Sequence, residues 1–219
     1  TYNGGRYIKE QLDSILPQLN KNDEIIISDD SSTDNTVEIL KNYKDSRIKL
    51  YLNNSFKSPI YNLENALKHA KGDYIFLADQ DDIWNSNKVR VMLKYLDKYD
   101  CVVSDAEVVD ADLNTIYPSF FMLRKSKKGL IWNIIKNSYI GCCMAFKRSI
   151  LDHALPFPNN LPMHDMWIGL ISEKYGKSIF IDDKLIKYRR HGSNTSLTGE
   201  KSRNSIFVKI SYRINIIRA

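Results

Sequence analysis

An α/β domain, with a mostly parallel central sheet and helices on both of its faces, is the fold class this sequence predicts, and three observations predict it. Short apolar runs of strand length alternate with segments whose apolar residues recur at helical spacing. The strand-like runs are apolar throughout, as strands covered on both faces are. Two clusters of carboxylates follow two of these runs, at the carboxyl edge where open α/β sheets hold their ligands.

The elements follow in order. TYNGG, at residues 1–5, has the look of a strand-to-helix loop, so the first strand of such a sheet is expected ahead of Thr1. EIIIS (24–28) and residues 48–52 read as the next strands. Leu63, Ala66, Leu67 and Ala70 mark a helix by their i, i+3, i+4, i+7 spacing. YIFLA (74–78) is a strand, Val89, Met92, Leu93 and Leu96 mark a second helix, and residues 101–104 form a further strand. Beyond Ser104 the pattern is less regular. Aromatic and basic residues fill 120–132, YIGCCMAF spans 139–146, a helix is expected over 166–175, and SIFIDDKLIKYRRHGSN occupies 178–194. No internal repeat or low-complexity linker divides the chain. One domain to about residue 200, followed by a basic amphipathic segment over 201–219, is the expected organisation.

The 219 residues are 43% hydrophobic, enough for a sizeable core. No apolar run approaches the roughly 18 residues needed to span a bilayer. No secretory leader is visible, and Cys101, Cys142 and Cys143 form neither a disulfide framework nor a metal spacing, so a reducing, cytoplasmic setting is expected. The net charge of +6 is concentrated in Lys201, Arg203, Lys209, Arg213 and Arg218, which leaves the body close to neutral. There is no nucleic-acid motif to go with this basicity, so nucleic acid is not an expected partner. In the tail, Phe207, Ile210, Ile214 and Ile217 share one helical face and Lys209 and Arg213 another. That pattern suits an anionic membrane surface, a partner chain, or packing on the domain itself.

The chemistry sits in the polar clusters. In SDDSSTDNT (28–36), Ser32 or Thr33 is placed to start the following helix, but one cap needs one acceptor. Asp29 and Asp30 are then left to accept from a base N–H or a ribose hydroxyl. In DQDD, Asp79, Asp81 and Asp82 crowd like charges that repel one another. They offer hard oxygen ligands for Mg²⁺ or Mn²⁺ shared with substrate phosphates. Trp84 beyond them reads first as core packing, with substrate stacking the alternative. Asp165 in MHDMWIGL stands at a helix start, where a cap and a functional carboxylate look alike. Arg189, Arg190 and His191 end a strand-like run and suit a diphosphate and its metal.

Taken in this order, TYNGG, EIIISDDSSTDNT, GDYIFLADQDDIW, MHDMWIGL and YRRHGSN resemble the family-2 glycosyltransferases, the inverting, A-type nucleotide-sugar enzymes, over residues 1 to about 196. The variant MHDxW followed by YRxHGxN is similar to the bacterial rhamnosyltransferase-type branch that builds cell-surface polysaccharides. The resemblance implies a Rossmann-like nucleotide-diphospho-sugar transferase fold and a catalytic domain over 1–200. It places Thr1, Tyr2 and Asn3 on the nucleotide loop, with Asp30 near the base and Asp29 beside it. It makes Asp79 and Asp81 the metal and diphosphate motif, with Asp81 the direct ligand of Mn²⁺ or Mg²⁺. His191, Arg189 and Arg190 fall near the metal or diphosphate, and Asp165 becomes the catalytic base. Transfer from a UDP- or dTDP-sugar, rhamnose among the candidates, to a saccharide or lipid-linked hydroxyl is the implied reaction. One departure is His164, where the wider family often carries Glu. A non-catalytic nucleotide-sugar-binding partner of another transferase, and a Mg²⁺-dependent phosphatase or nucleotidyltransferase, reuse the same acidic edge.

Overall fold

The computed structural model describes residues 1–192 and Arg213. Its first third is a small parallel unit. Helix α1 (Ile8–Ile15) turns Ile8, Leu12 and Ile15 inward and is followed by strand β1 (Ile25–Ser28), helix α2 (Thr36–Asn42) and strand β2 (Ile48–Tyr51). β1 and β2 pair in parallel, Ile25 beside Ile48, over a core of Ile8, Leu12, Ile27 and Leu40. Helix α3 (Pro59–His69) opens on Pro59, where the absent N–H would have had no helical partner.

The rest of the chain builds a larger sheet. Its elements are β3 (Tyr74–Phe76), β4 (Ile83–Trp84), α4 (Lys88–Leu96), β5 (Cys101–Val109), β6 (Thr115–Tyr117), α5 (Phe120–Arg124) and α6 (Leu130–Ile135). After them come β7 (Met144–Lys147), α7 (Leu151–Ala154), α8 (His164–Tyr175) and β8 (Ser178–Arg189). The strand order is β3, β7, β5, β8, β4, with β6 on the end of β5. Alternate residues of β5 enter two cores, one on each face. Cys101 and Val103 pack in the cluster that holds Trp167, Leu170 and Ile171 of α8, while Val102 packs with Met92 and Leu96 of α4.

The expected α/β architecture is present, but the sheet is mixed, not mostly parallel. β7 runs antiparallel to both β3 and β5, β4 runs antiparallel to β8, and β5 with β8 is the parallel pair of this sheet. An unbroken apolar run reports burial on both faces, and helices can cover antiparallel strands as completely as parallel ones. A second correction concerns α2, which begins at Thr36 after Asn35 and has no side-chain cap. Neither Ser32 nor Thr33 starts it.

α8 is the central helix of the larger core, buried all round from Met166 to Ser172. Trp167 donates its indole N–H to the Ala154 carbonyl at 2.9 Å. The Tyr139 ring lies on the backbone at Gly169, where a Cβ would come within 2.4 Å of it, so only glycine lets α8 pack this closely.

Candidate active site

Four segments meet at one edge of the molecule, and hydrogen bonds tie them together. The amide of Tyr2 donates to the Gln80 side chain at 2.9 Å, and Gln80 returns a bond to the Tyr2 carbonyl at 3.0 Å. Asn3 accepts from the Thr33 amide at 2.8 Å and donates its own amide to Ser32 at 2.8 Å. Residues 1–3 therefore bridge the two acidic loops. Tyr2 is exposed there, its ring open to a ligand.

The first acidic loop is fully engaged with its neighbours. Both Asp29 and Asp30 are buried. One oxygen of Asp29 accepts the Ser32 amide at 2.9 Å, and the other accepts the hydroxyls of Ser32 at 2.6 Å and Thr1 at 2.9 Å. Asp30 accepts the amides of Phe56 at 2.6 Å and Ser58 at 3.1 Å. These bonds fold the loop over residues 53–58 against the strand end. Asp34 plays a similar part, accepting the amides of Gly5 and Thr36, both at 3.0 Å.

The second acidic loop carries charge that its neighbours do not neutralise. Asp81 is bonded to the His191 ring at 2.8 Å, and that ring leans on Tyr7. Asp82 is buried; one oxygen accepts the Arg189 amide at 2.9 Å, and the other has no hydrogen-bond partner among the described residues. Burial first, then the charges of Asp79 and Asp81, push the Asp82 carboxyl well above the usual carboxylate range. Asp79 is open to solvent at its surface yet ringed by protein. Its carboxyl is pushed up to about 7, by that crowding first and then by Asp81 and Asp165. Water reaching Asp79 weakens the first cause; the pull of the two neighbouring carboxylates fixes the direction.

Asp79, Asp82 and Cys142 present ligand atoms within 4.8 Å of one another. Two hard carboxylates with an orphan oxygen fit a hard divalent cation. The buried Cys142 thiol does not, because its bond to Cys143 and its burial hold it protonated. Behind the cluster stands Lys88, fully buried, donating to the Cys142 carbonyl at 2.9 Å with its ammonium 4.9 Å from the centre of the Trp84 ring. Burial pulls its pKa down.

Asp165 faces this loop from the first turn of α8. The N-cap position is Met163, and no side chain caps the helix, so Asp165 is not the cap its place in sequence suggested. Its carboxylate accepts the Met166 amide at 2.6 Å and is further steadied by the Gly141 amide and the Asn137 side chain. Burial outweighs those bonds and pushes it up to about 6. Beside it, burial lowers His164 to about 4, so this ring is neutral near pH 7.

Not every expected residue reaches the cleft. Arg189 is buried, and its guanidinium bonds the carbonyls of Asp81 at 2.9 Å and Ala111 at 2.6 Å and the Glu10 carboxylate at 2.5 Å. It also lies over the Tyr7 ring at 4.5 Å. It clasps α1 and the acidic loop together from behind instead of facing a ligand. Arg190 is half-buried at the end of β8, its amide on the Val109 carbonyl at 2.8 Å. Trp84 is core, as expected. Gln80, Lys88, Asn137 and Gly141 went unnoticed in the sequence. Gln80 was readable inside DQDD, but nothing local marks a lysine at a helix start as buried.

Comparison with known proteins identifies the family and the fold. The model for glycosyl transferase family 2 matches residues 1–155. The UDP-Glc:alpha-D-GlcNAc-diphosphoundecaprenol beta-1,3-glucosyltransferase WfgD of Escherichia coli is 29% identical over 90% of this chain and 77% of its own length. The dTDP-rhamnosyl transferase RfbG of Shigella flexneri is 30% identical over 89% of this chain and 72% of its own. Among solved structures, residues 1–349 of S. aureus TarS with UDP-GlcNAc superpose with a TM-score of 0.71 at 22% identity, over 89% of this chain. A mannosyltransferase from Pyrobaculum calidifontis with GDP-Man and Mn²⁺ gives 0.62 at 19% identity, over 90% of this chain. The chain spans 58% and 56% of those two structures. The fold is the Rossmann-like α/β fold of nucleotide-sugar transferases.

Proposed function

The chain belongs to glycosyltransferase family 2, and on that premise we propose that it transfers a sugar from a nucleoside-diphosphate donor to an acceptor hydroxyl with inversion at the anomeric carbon. A UDP- or dTDP-sugar is the donor of this reading, and a saccharide or lipid-linked hydroxyl of bacterial surface polysaccharide synthesis the acceptor. The observation that supports it is the closeness of Asp165 to the acidic loop: Cys142 lies with Asp79 and Asp82 within 4.8 Å, and a Cβ at the adjoining Gly141 would be 3.7 Å from that of Asp165.

Asp165 takes the proton of the acceptor hydroxyl as its oxygen attacks the face opposite the leaving diphosphate. The bonds from the Met166 amide, Gly141 and Asn137 hold the carboxylate in place, and its raised pKa makes it a stronger base than a free aspartate. Asp81 and Asp79, with the unpartnered oxygen of Asp82, would hold Mn²⁺ or Mg²⁺, and His191 orients Asp81 at 2.8 Å. Such an ion, when bound, offsets the charge of the departing diphosphate. Arg190, in this reading, meets the diphosphate, and Thr1, Tyr2, Asn3, Asp29 and Asp30 serve the nucleoside end. In this reading Arg189 serves by fixing the backbone of Asp81 and Asp82.

The test is donor hydrolysis without acceptor, with UDP-, dTDP- and GDP-sugars offered in turn with Mn²⁺. Slow, metal-dependent release of nucleoside diphosphate from one donor is expected. Binding without turnover in this assay and in transfer to candidate acceptors would assign the chain to the non-catalytic class.

A further inference from the structure

Helix α6 is built inside out. Its fully buried residue is Asn133, at 0% exposure, whereas Ile131 and Ile135 are 76% and 63% exposed and Leu130 and Trp132 are also open. Asn133 is a polar anchor. Its amide donates to the carbonyls of Lys127 at 2.9 Å and Gly129 at 3.1 Å, and its oxygen accepts the Ser138 amide at 2.7 Å. Gly129 donates in turn to Glu173 of α8 at 2.9 Å. Hydrogen bonds and the packing of Ile134 against the core hold the helix in place, and Leu130, Ile131, Trp132 and Ile135 are left exposed. On α5, joined to α6 where Lys136 donates to the Arg124 carbonyl at 2.8 Å, Met122 is 78% exposed.

The rim of this surface is mostly cationic, and the acid that meets it, Glu173 of α8, is half-buried and accepts from the Gly129 amide and the Tyr139 hydroxyl. No Asp or Glu occurs from Leu113 to Leu151. Lys125, Lys127 and Lys128 are exposed, and the Lys127 ammonium sits 5.2 Å from the centre of the Trp132 ring. Arg213 adds its guanidinium, donating to the Ile135 carbonyl at 2.6 Å. Exposed aliphatic residues, a half-open tryptophan and a predominantly cationic rim are complementary to a phospholipid surface with anionic headgroups.

We infer that the α5–α6 face docks on an anionic phospholipid bilayer. Ile131, Ile135 and Met122 enter the acyl boundary, Trp132 lies at headgroup level, and the lysines meet the phosphates. If the transfer reading also holds, the docked surface lies beside the base, because Asn137 at the end of the same segment bonds Asp165. Docking itself goes beyond that reading and does not rest on it. The basic tail expected to bind lipid falls, Arg213 apart, outside the described residues.

Vesicle flotation of the full chain, without donor or acceptor, tests the inference. The chain should float with phosphatidylcholine vesicles that contain phosphatidylglycerol, float poorly with phosphatidylcholine alone, and be released by high salt. Ile131→Gln with Ile135→Gln should lower the partition coefficient by about tenfold. Lys125→Gln, Lys127→Gln and Lys128→Gln together should remove the preference for phosphatidylglycerol. Both variants should keep the wild-type melting temperature, because the altered side chains are exposed. Failure of the wild type to float, equal flotation on both vesicles, or undiminished flotation of the isoleucine variant overturns the inference. So does a chain that ignores vesicles but forms a dimer that the isoleucine variant breaks, since the face then belongs to a second copy.

Discussion

At the end of β1, Asp29 and Asp30 are buried carboxylates whose four oxygens all accept hydrogen bonds from the surrounding loops. At the end of β3, Asp79, Asp81 and Asp82 pack charge just as densely, yet one oxygen of Asp82 is unpartnered and both Asp79 and Asp82 are pushed up. Hydrogen bonds to the charged form favour it, whereas burial and like charge oppose it. The difference separates two uses of one residue type at one sheet edge. The acids of the first loop hold neighbouring segments against the strand end, and in the proposed reading those of the second are left for a cation and a diphosphate.

The largest effect that can sharpen this contrast lies at Asp165, whose charge reaches the second loop. Asp165→Asn keeps the size and one accepting oxygen but cannot take a proton, so transfer to the acceptor should fall by roughly 10² to 10⁴ while donor affinity holds. Near-normal transfer by the folded variant would remove the base from the mechanism. The pH profile offers a second view of the same group. With its carboxyl at about 6, Asp165 is protonated and idle at lower pH, so transfer should rise as pH passes through about 6 and level off above it. The same raised pKa means that the folded state holds this proton more tightly than the unfolded chain. Its share of stability is present at low pH and lost as pH climbs past 6. Asp165→Asn should therefore be no less stable than wild type at pH 8.

Substitutions within the two loops should move stability in opposite directions. Asp29→Ala removes the acceptor of three bonds and should cost about 2–4 kcal/mol in a denaturant melt. Asp82→Asn retains an acceptor for the Arg189 amide and relieves a buried, repelled charge, so in metal-free buffer it should add on the order of 1 kcal/mol. Two losses of similar size would erase the distinction between the loops.

How much of this was legible in the sequence follows the range of the interactions. β1, β3, α3 and α4 were readable because their apolar spacing is local, and α8 was readable as a helix from Trp167, Leu170 and Ile171, although the structure buries it all round. The direction of β7 was not, since burial alone does not encode it. Asp79, Asp81 and Asp165 were legible by position at strand and helix ends. That Asp30 is satisfied was hidden, because the amides of Phe56 and Ser58 come from a loop more than 25 residues away, whereas Asp29 takes two bonds from nearby Ser32 and one from Thr1. Arg189 looked like a ligand contact because basic residues cluster at that strand end; its partners on Glu10 and Ala111 are far off in sequence. α6 passed as an irregular aromatic and basic stretch, since a helix anchored by one buried asparagine breaks the usual pattern of apolar burial.

The central claim, that the second loop and not the first is the cation and diphosphate end, is tested most directly by thermal melts with UDP or dTDP, each with and without Mn²⁺, on the wild type, Asp29→Asn and Asp81→Asn. At a hundred times its Kd the bound ligand should add about 2.7 kcal/mol to the wild type. The increment that depends on Mn²⁺ should survive in Asp29→Asn, even where nucleoside binding weakens, and vanish in Asp81→Asn. An increment that persists in Asp81→Asn and disappears in Asp29→Asn would contradict the account.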